Sequence, residues 1–209
     1  MMTALPRLTL SLLLATSCCL LVFGSAPNPS PRITESLYLT NGLDLGDWGI
    51  GEFCETGSFV AYVETLFEPY SALHTDETAL NALMMYCVDL ETGRATGHIT
   101  STAGEKGELQ ELLACPTGFI TGVRARVLES QGAFGDDVAV QNFQFECDSN
   151  STIITGQEED TKIPSGGWGI WATCPDGSAV CGMQTRFDEP DLYVDDAAIS
   201  DAIFYCCAL

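Results

Sequence analysis

An all-β fold of three like units around a pseudo-threefold axis is predicted by three observations: a long repeat, cysteines matched between its copies, and alternating apolar and polar residues. Trp48, Leu109 and Trp168 each stand six residues ahead of a cysteine, and those cysteines (Cys54, Cys115, Cys174) are 61 and 59 residues apart. Each lies in a short opening: Gly46-Asp47-Trp48-Gly49, Gly107-Glu108-Leu109-Gln110 and Gly166-Gly167-Trp168-Gly169. The copies also close alike. The acidic pairs Asp76-Glu77, Asp136-Asp137 and Asp195-Asp196 begin eleven residues ahead of Cys87, Cys147 and Cys206. A unit of this kind cannot bury its own apolar face, so the three copies are expected to share one core.

Within the copies, Val123, Ala125 and Val127 alternate with Arg124 and Arg126, and Phe143, Phe145 and Cys147 alternate with Gln144 and Glu146. This is the period of half-buried strands. The corresponding segments, Phe59 to Phe67 with Leu83 to Cys87 and Ala179 to Phe187 with Phe204 to Cys206, are rich in aromatic and β-branched residues or methionine. The loop between the paired strands holds seven residues between Glu68 and Asp76, six between Glu129 and Asp136, and five between Glu189 and Asp195. Length drift between fixed flanks marks a surface connection. Phe145, Phe204 and Met85 are expected to meet near the axis.

The N-terminus reads as a secretory leader over residues 1–24. Arg7 supplies its positive region, Leu8 to Phe23 its apolar run, and Gly24-Ser25-Ala26 its small residues, with cleavage after Gly24 or Ala26. A Pro-rich segment, residues 25–38 with Pro27, Pro29 and Pro31, follows in place of a basic stop-transfer sequence. Residues 39–209 then form a single domain with repeats at about 39–98, 99–158 and 159–209. Cys18 and Cys19 leave with the leader, so eight of ten cysteines remain, an even number that reads as a disulfide framework. One bridge per copy pairs Cys54 with Cys87, Cys115 with Cys147 and Cys174 with Cys206, which leaves Cys181 for Cys207. A zinc site on Cys174, Cys181, Cys206 and Cys207 is the rival, but an oxidising compartment favours bridges and the short paired spacing of zinc ribbons is absent.

Charge excludes some partners. Loss of Arg7 leaves seven Lys plus Arg against 29 Asp plus Glu, a net of −22. Such a field repels nucleic acid and anionic membrane, keeps an extracellular protein soluble, and attracts cations or basic matrix proteins. His74 and His98, both placed in loops, form no His-Glu-x-x-His, and no Gly-x-Ser-x-Gly or phosphate-binding glycine loop occurs. No cofactor is expected and no metal ligand set is assigned. Asn150-Ser151-Thr152 is a glycosylation sequon in a polar stretch between copies two and three.

The three openings, Glu52-Phe53-Cys54, the run Asp76 to Asn81, Gly135-Asp136-Asp137 and the terminal Phe204-Tyr205-Cys206-Cys207 together resemble the vitelline membrane outer layer protein 1 family over about residues 39–209. The resemblance implies a type I β-prism of three Greek-key-like antiparallel sheets, and a secreted protein of egg coats or mucosal fluids. It also implies a carbohydrate-facing role, with a weak transferase activity toward chito-oligosaccharides proposed for the family but no settled catalytic residues, so none are assigned here. Two departures stand out: the best-known egg-coat member is basic whereas this chain is acidic, and Leu109 stands where the other copies have tryptophan. Trp48 and Trp168 either pack over a sheet edge, the reading preferred for a recurring residue, or offer platforms to a sugar ring. The sequence thus describes a secreted coat or fluid protein with a structural or carbohydrate-interacting role and extracellular glycans as partners. The alternatives are a weak glycan-modifying enzyme and an acidic calcium-binding matrix protein.

The acidic pairs pose a similar choice, between starting the turn into the last strand of each copy and contributing to a calcium shell. The turn reading predicts that Asp136→Ala costs about 0.5–2 kcal/mol through lost backbone hydrogen bonds, with or without calcium. Thermal melts of both proteins in calcium and in chelator check it. A large calcium-dependent rise in the unsubstituted protein alone would assign the pair to a metal.

Overall fold

The computed structural model describes residues 31–69, 78–129, 139–148, 152–156, 164–189 and 197–209. The expected leader, His74, Asn150 and the pairs Asp76-Glu77, Asp136-Asp137 and Asp195-Asp196 lie outside the described residues. In chain order the strands begin with β1 (Ile33–Tyr38), β2 (Asp47–Trp48), β3 (Glu52–Phe53), β4 (Ser58–Phe67) and β5 (Leu80–Asp89). They continue with β6 (Ala95–Ile99), β7 (Glu108–Leu109), β8 (Leu113–Ala114), β9 (Ile120–Val127) and β10 (Val140–Cys147). The last are β11 (Thr152–Thr155), β12 (Gly167–Trp168), β13 (Ala172–Thr173), β14 (Ser178–Asp188) and β15 (Ala198–Ala208).

Three antiparallel sheets result, each built on one long hairpin: β4 with β5, β9 with β10, and β14 with β15. On one side of each hairpin lies a fourth strand, β6, β11 or β1. On the other lies a split edge made by the opening of a different copy. β7 and β8 pair with β4, β12 and β13 with β9, and β2 and β3 with β14. Each opening therefore completes the sheet of the preceding hairpin, and the N-terminal strands close the ring on the C-terminal one. His98 belongs to β6, with its ring 5.6 Å from Tyr86, and not to a loop; a five-residue strand with three exposed positions carries too little periodicity to be read from sequence.

The inner faces fill the axis in layers. Val63 pairs with Met85, Val123 with Phe145 and Met183 with Phe204 across the three hairpins, all fully buried. The next layer pairs Thr65 with Leu83, Ala125 with Phe143 and Thr185 with Ala202. Volume is shared between copies: the large Phe143 stands beside Phe145 at 5.8 Å and edge-on to Phe204 at 5.9 Å, where the third copy has only Ala202. Phe145 and Phe204 meet edge-on at 6.3 Å, and Met85 packs in the same cluster. Close packing to crystal-like density makes these exchanges interdependent.

Polar residues pin the incoming openings. The Ser200 side chain donates to Leu45 O at 2.6 Å, and that of Gln141 donates to Pro164 O at 2.7 Å and accepts from Gly166 N at 2.8 Å; at Asn81 the backbone O accepts from Gly104 N at 2.8 Å while the side chain donates to Thr78 Oγ1. All three side chains are buried. The first glycine of each opening lies flat on the hairpin it joins. A Cβ would stand 2.0 Å from Phe187 O at Gly46, 2.5 Å from the Phe67 backbone at Gly107, and 2.2 Å from Val127 O at Gly166. Gly46 and Gly107 also have φ of +68° and +98°, where a side chain is strained.

The disulfides follow from this exchange. Cys54 to Cys87, Cys115 to Cys147 and Cys174 to Cys206 have Cα atoms 5.6, 5.7 and 5.7 Å apart. Each joins the end of a split edge to the inner hairpin of the next sheet, so the three bridges staple the sheets to one another. Loops of 32 or 33 residues make each bridge worth about 3.5 kcal/mol in the chain-entropy account. Cys181 to Cys207 instead ties β14 to β15 within one sheet, in a second apolar cluster with Phe59 and Phe119.

Two stability predictions follow. Gly166→Ala should cost about 1–3 kcal/mol because its Cβ meets backbone, whereas Gly167→Ala, with nothing within 4 Å of the added carbon, should stay within about 0.5 kcal/mol of the parent; urea denaturation compares the pair. Burial raises the Asp201 carboxyl above its usual range, and Asp44 adds to this, against the Ala202 amide and Arg186 which lower it. A raised carboxylate costs stability above its folded value and nothing below the unfolded value near about pH 3.9. Asp201→Asn should therefore raise the melting temperature at pH 7, and the gain should vanish as pH falls below that range.

Candidate functional site

The split edges place one side chain from each opening opposite one from its hairpin at the same register. Trp48 faces Arg186, Trp168 faces Arg126, and Leu109 faces Leu66. Where the opening carries tryptophan the strand carries arginine, and where it carries leucine the strand carries leucine. The guanidinium of Arg186 lies 5.9 Å from the Trp48 ring centre, with Nε donating to Gly46 O at 2.9 Å and an ion pair to the exposed Asp44. Arg126 lies 5.6 Å from Trp168 and donates from Nε to Gly166 O at 3.0 Å. The two tryptophans thus sit on different sheets and form no joint platform.

One face is more elaborate. Arg124 lies over two indoles, 5.1 Å from the Trp168 ring centre and 4.9 Å from that of Trp171. Its Nε and Nη2 donate to Gln144 Oε1 at 2.9 and 2.7 Å, which fixes the plane of the fork. Cation–π contacts contribute about 0.5–1 kcal/mol each when exposed and more when desolvated. At the equivalent position β14 has Gln184, which accepts from Tyr205 at 2.8 Å and donates to Gly49 O at 2.8 Å. On β4 it is Glu64, which accepts from Tyr86 at 2.6 Å and so raises that phenol's pKa. At this one position the outer faces therefore differ: cationic and aromatic on β9, amide and tyrosine on β14, and acidic and tyrosine on β4.

Beside Trp168 opens a polar cleft of about 520 Å³, lined among others by Thr40, Asn41, Glu129, Ser165 and Gly166. The turn after β1 builds its wall. Thr40 Oγ1 accepts from Ile170 N at 2.9 Å, and Asn41 Nδ2 donates to Ala125 O at 3.2 Å and Gly167 O at 3.0 Å. Asn41 Oδ1 is buried against the Gly169 backbone. At Gly169 a Cβ would stand 2.3 Å from that same oxygen, so a larger residue there displaces the Asn41 side chain. At the other end of the strands a smaller, mostly apolar hollow of about 280 Å³ lies over the Cys181 to Cys207 bridge, with Phe59 and Leu209 in its wall. Among the described residues no three His, Cys, Asp or Glu side chains converge to hold a metal.

Sequence reasoning singled out Trp48 and Trp168 but not Trp171, Arg124, Arg126, Arg186, Thr40 or Asn41. A signal existed for the arginines, as the outward positions of an alternating strand, and for Trp171, three residues after Trp168. Nothing in the sequence placed Thr40 and Asn41 beside Trp168, more than 120 residues away.

The family model for vitelline membrane outer layer protein I matches residues 35–209. A mouse protein named vitelline membrane outer layer protein 1 homolog is 33% identical over 180 residues, covering 85% of this chain and 86% of that one. Among solved structures, Calystegia sepium agglutinin superposes with a TM-score of 0.52 at 12% identity, covering 87% of this chain and 99% of its own. A mannose-binding jacalin-related lectin from Ananas comosus gives 0.51 at 12% identity, covering 84% and 98%. At such identity the likeness to the lectins concerns the β-prism fold. By the family match and the identity to the mouse relative, this chain belongs to the vitelline membrane outer layer protein I family.

Proposed function

We propose that this protein is a secreted component of an extracellular coat or fluid that engages carbohydrate through the cleft beside Trp168. Eight paired cysteines support an oxidising, extracellular setting, as does membership of the family. The observation that carries the carbohydrate reading is the combination of the Trp168 indole with the polar residues Thr40, Asn41, Glu129 and Ser165 in the lining of one concavity. Sugar rings present an apolar face to an aromatic ring and hydroxyls around it, and a site with one aromatic wall and several polar groups matches that chemistry. The mannose-binding lectin of the same fold lends support to the class of ligand. Stapled sheets hold the walls of the cleft rigid, which limits the ordering cost of binding.

The protein should retain neutral mannose- or N-acetylglucosamine-containing oligosaccharides on a glycan array at physiological salt. Trp168→Ala should weaken binding about tenfold or more, equivalent to about 1.4 kcal/mol, while Trp48→Ala, away from the cleft, should leave it unchanged. No retained glycan, or equal loss in both variants, would overturn the assignment. Binding that disappears between low and physiological salt would instead place recognition on the acidic surface, because exposed charges are screened within about 8–10 Å.

A further inference from the structure

The third copy carries a run absent from the other two. Trp168, Trp171 and Cys174 are spaced three residues apart, in Trp168-Gly169-Ile170-Trp171-Ala172-Thr173-Cys174. Copy one has Trp48 followed at the same distance by Gly51, and copy two has Leu109 and Leu112. Tryptophans at this spacing, followed by cysteine, are the acceptor pattern of the lumenal transferases that attach mannose to carbon in chains entering the secretory pathway. The structure shows what the spacing builds. Arg124 lies over both the Trp168 and the Trp171 rings, Arg126 lies over Trp168, and Gln144 holds the Arg124 fork. Trp168 sits on a two-residue edge strand and is not fully buried, so a substituent on its ring has a route to solvent.

We infer that Trp168 carries a single mannose joined through carbon to C2 of its indole. The reaction takes place on the extended chain before the stack forms. C2 of the electron-rich pyrrole ring attacks the anomeric carbon of a lipid-phosphate-linked mannose. A C–C bond forms as the bond from anomeric carbon to phosphate oxygen breaks. The lipid phosphate leaves with that electron pair, and the proton on C2 passes to a base of the transferase, restoring aromaticity; nothing is oxidised or reduced. The hydroxyls of the added sugar lie beside the guanidinium layer, where they accept hydrogen bonds as readily as water does. The inference rests on the extracellular reading above, but not on glycan binding by the cleft.

The test is peptide mass spectrometry of the full chain expressed in animal cells that contain the lumenal transferase. The peptide containing Trp168 should carry the mass of one hexose that survives backbone fragmentation and breaks only across the sugar ring, as a carbon-linked sugar does. The Trp48 peptide should be bare. Trp171→Ala should abolish the hexose. Since that variant also dismantles the stack, Arg124→Gln provides the contrast: it removes the guanidinium and leaves the acceptor pattern intact, so the hexose should remain. A secreted, disulfide-bonded chain with bare Trp168, a hexose on Trp171 alone, or equal modification of Trp48 would overturn the inference. Retention of the chain in the cytosol with reduced cysteines would overturn the extracellular reading and this inference with it.

Discussion

The exchange of edge strands between copies is the constraint on which the rest of the molecule depends. Each hairpin lacks one edge until the opening of another copy lies along it, and the last hairpin receives its edges from the N-terminal strands β1, β2 and β3. An open edge on a long strand is a template for unwanted pairing, and each opening covers such an edge with strands only two residues long. The close approach explains the glycine that heads each opening and the buried Ser200, Gln141 and Asn81 that meet the arriving backbone. It also explains why bridges within one sequence copy join two different sheets. Crossing and stapling are one arrangement: the chain leaves a split edge at Cys54, Cys115 or Cys174 and turns directly into the next hairpin.

Upon this common frame the outer faces diverge. The register that sets Trp48 against Arg186 and Trp168 against Arg126 sets Leu109 against Leu66, so both partners differ together. The two leucines meet as an apolar pair, with Leu109 still 59% exposed, where an indole and a guanidinium share a contact in the other copies, and a mixed pair would leave one group without its complement. The chain has only eight Lys plus Arg, and three arginines stand over tryptophan rings. In so acidic a protein these cations are placed against rings rather than spread as counter-charge; two of the three, with both Trp168 and Trp171, lie on the β9 sheet, one with Trp48 on the β14 sheet, and none on the β4 sheet.

Closure also positions the cleft. Its wall at Thr40 and Asn41 comes from the turn after the first strand, and its indole from the third opening. The two are brought together because β1 completes the last sheet while β12 completes the middle one, so the corner between those sheets is where the turn and the opening meet. At that corner the Ala125 carbonyl accepts both from Gly169 N at 2.9 Å and from Asn41 Nδ2 at 3.2 Å, so one backbone oxygen ties the opening and the turn together.

The sequence by itself determined the number of units, their all-β character, the residues at the axis and the four disulfide partners, because these follow from a repeat of nearly constant period and from side-chain alternation at period two. Phe145, Phe204 and Met85 could be placed together on that ground alone. The tertiary structure decided which sheet each opening joins, since strand pairing is a long-range choice of hydrogen-bond partner that leaves no mark in local periodicity. It alone placed the short strands β6 and β11, set Trp171 on Arg124, and brought Asn41 to Trp168. Those contacts arise where separate copies cross, and a crossing is a property of the closed ring rather than of any segment within it.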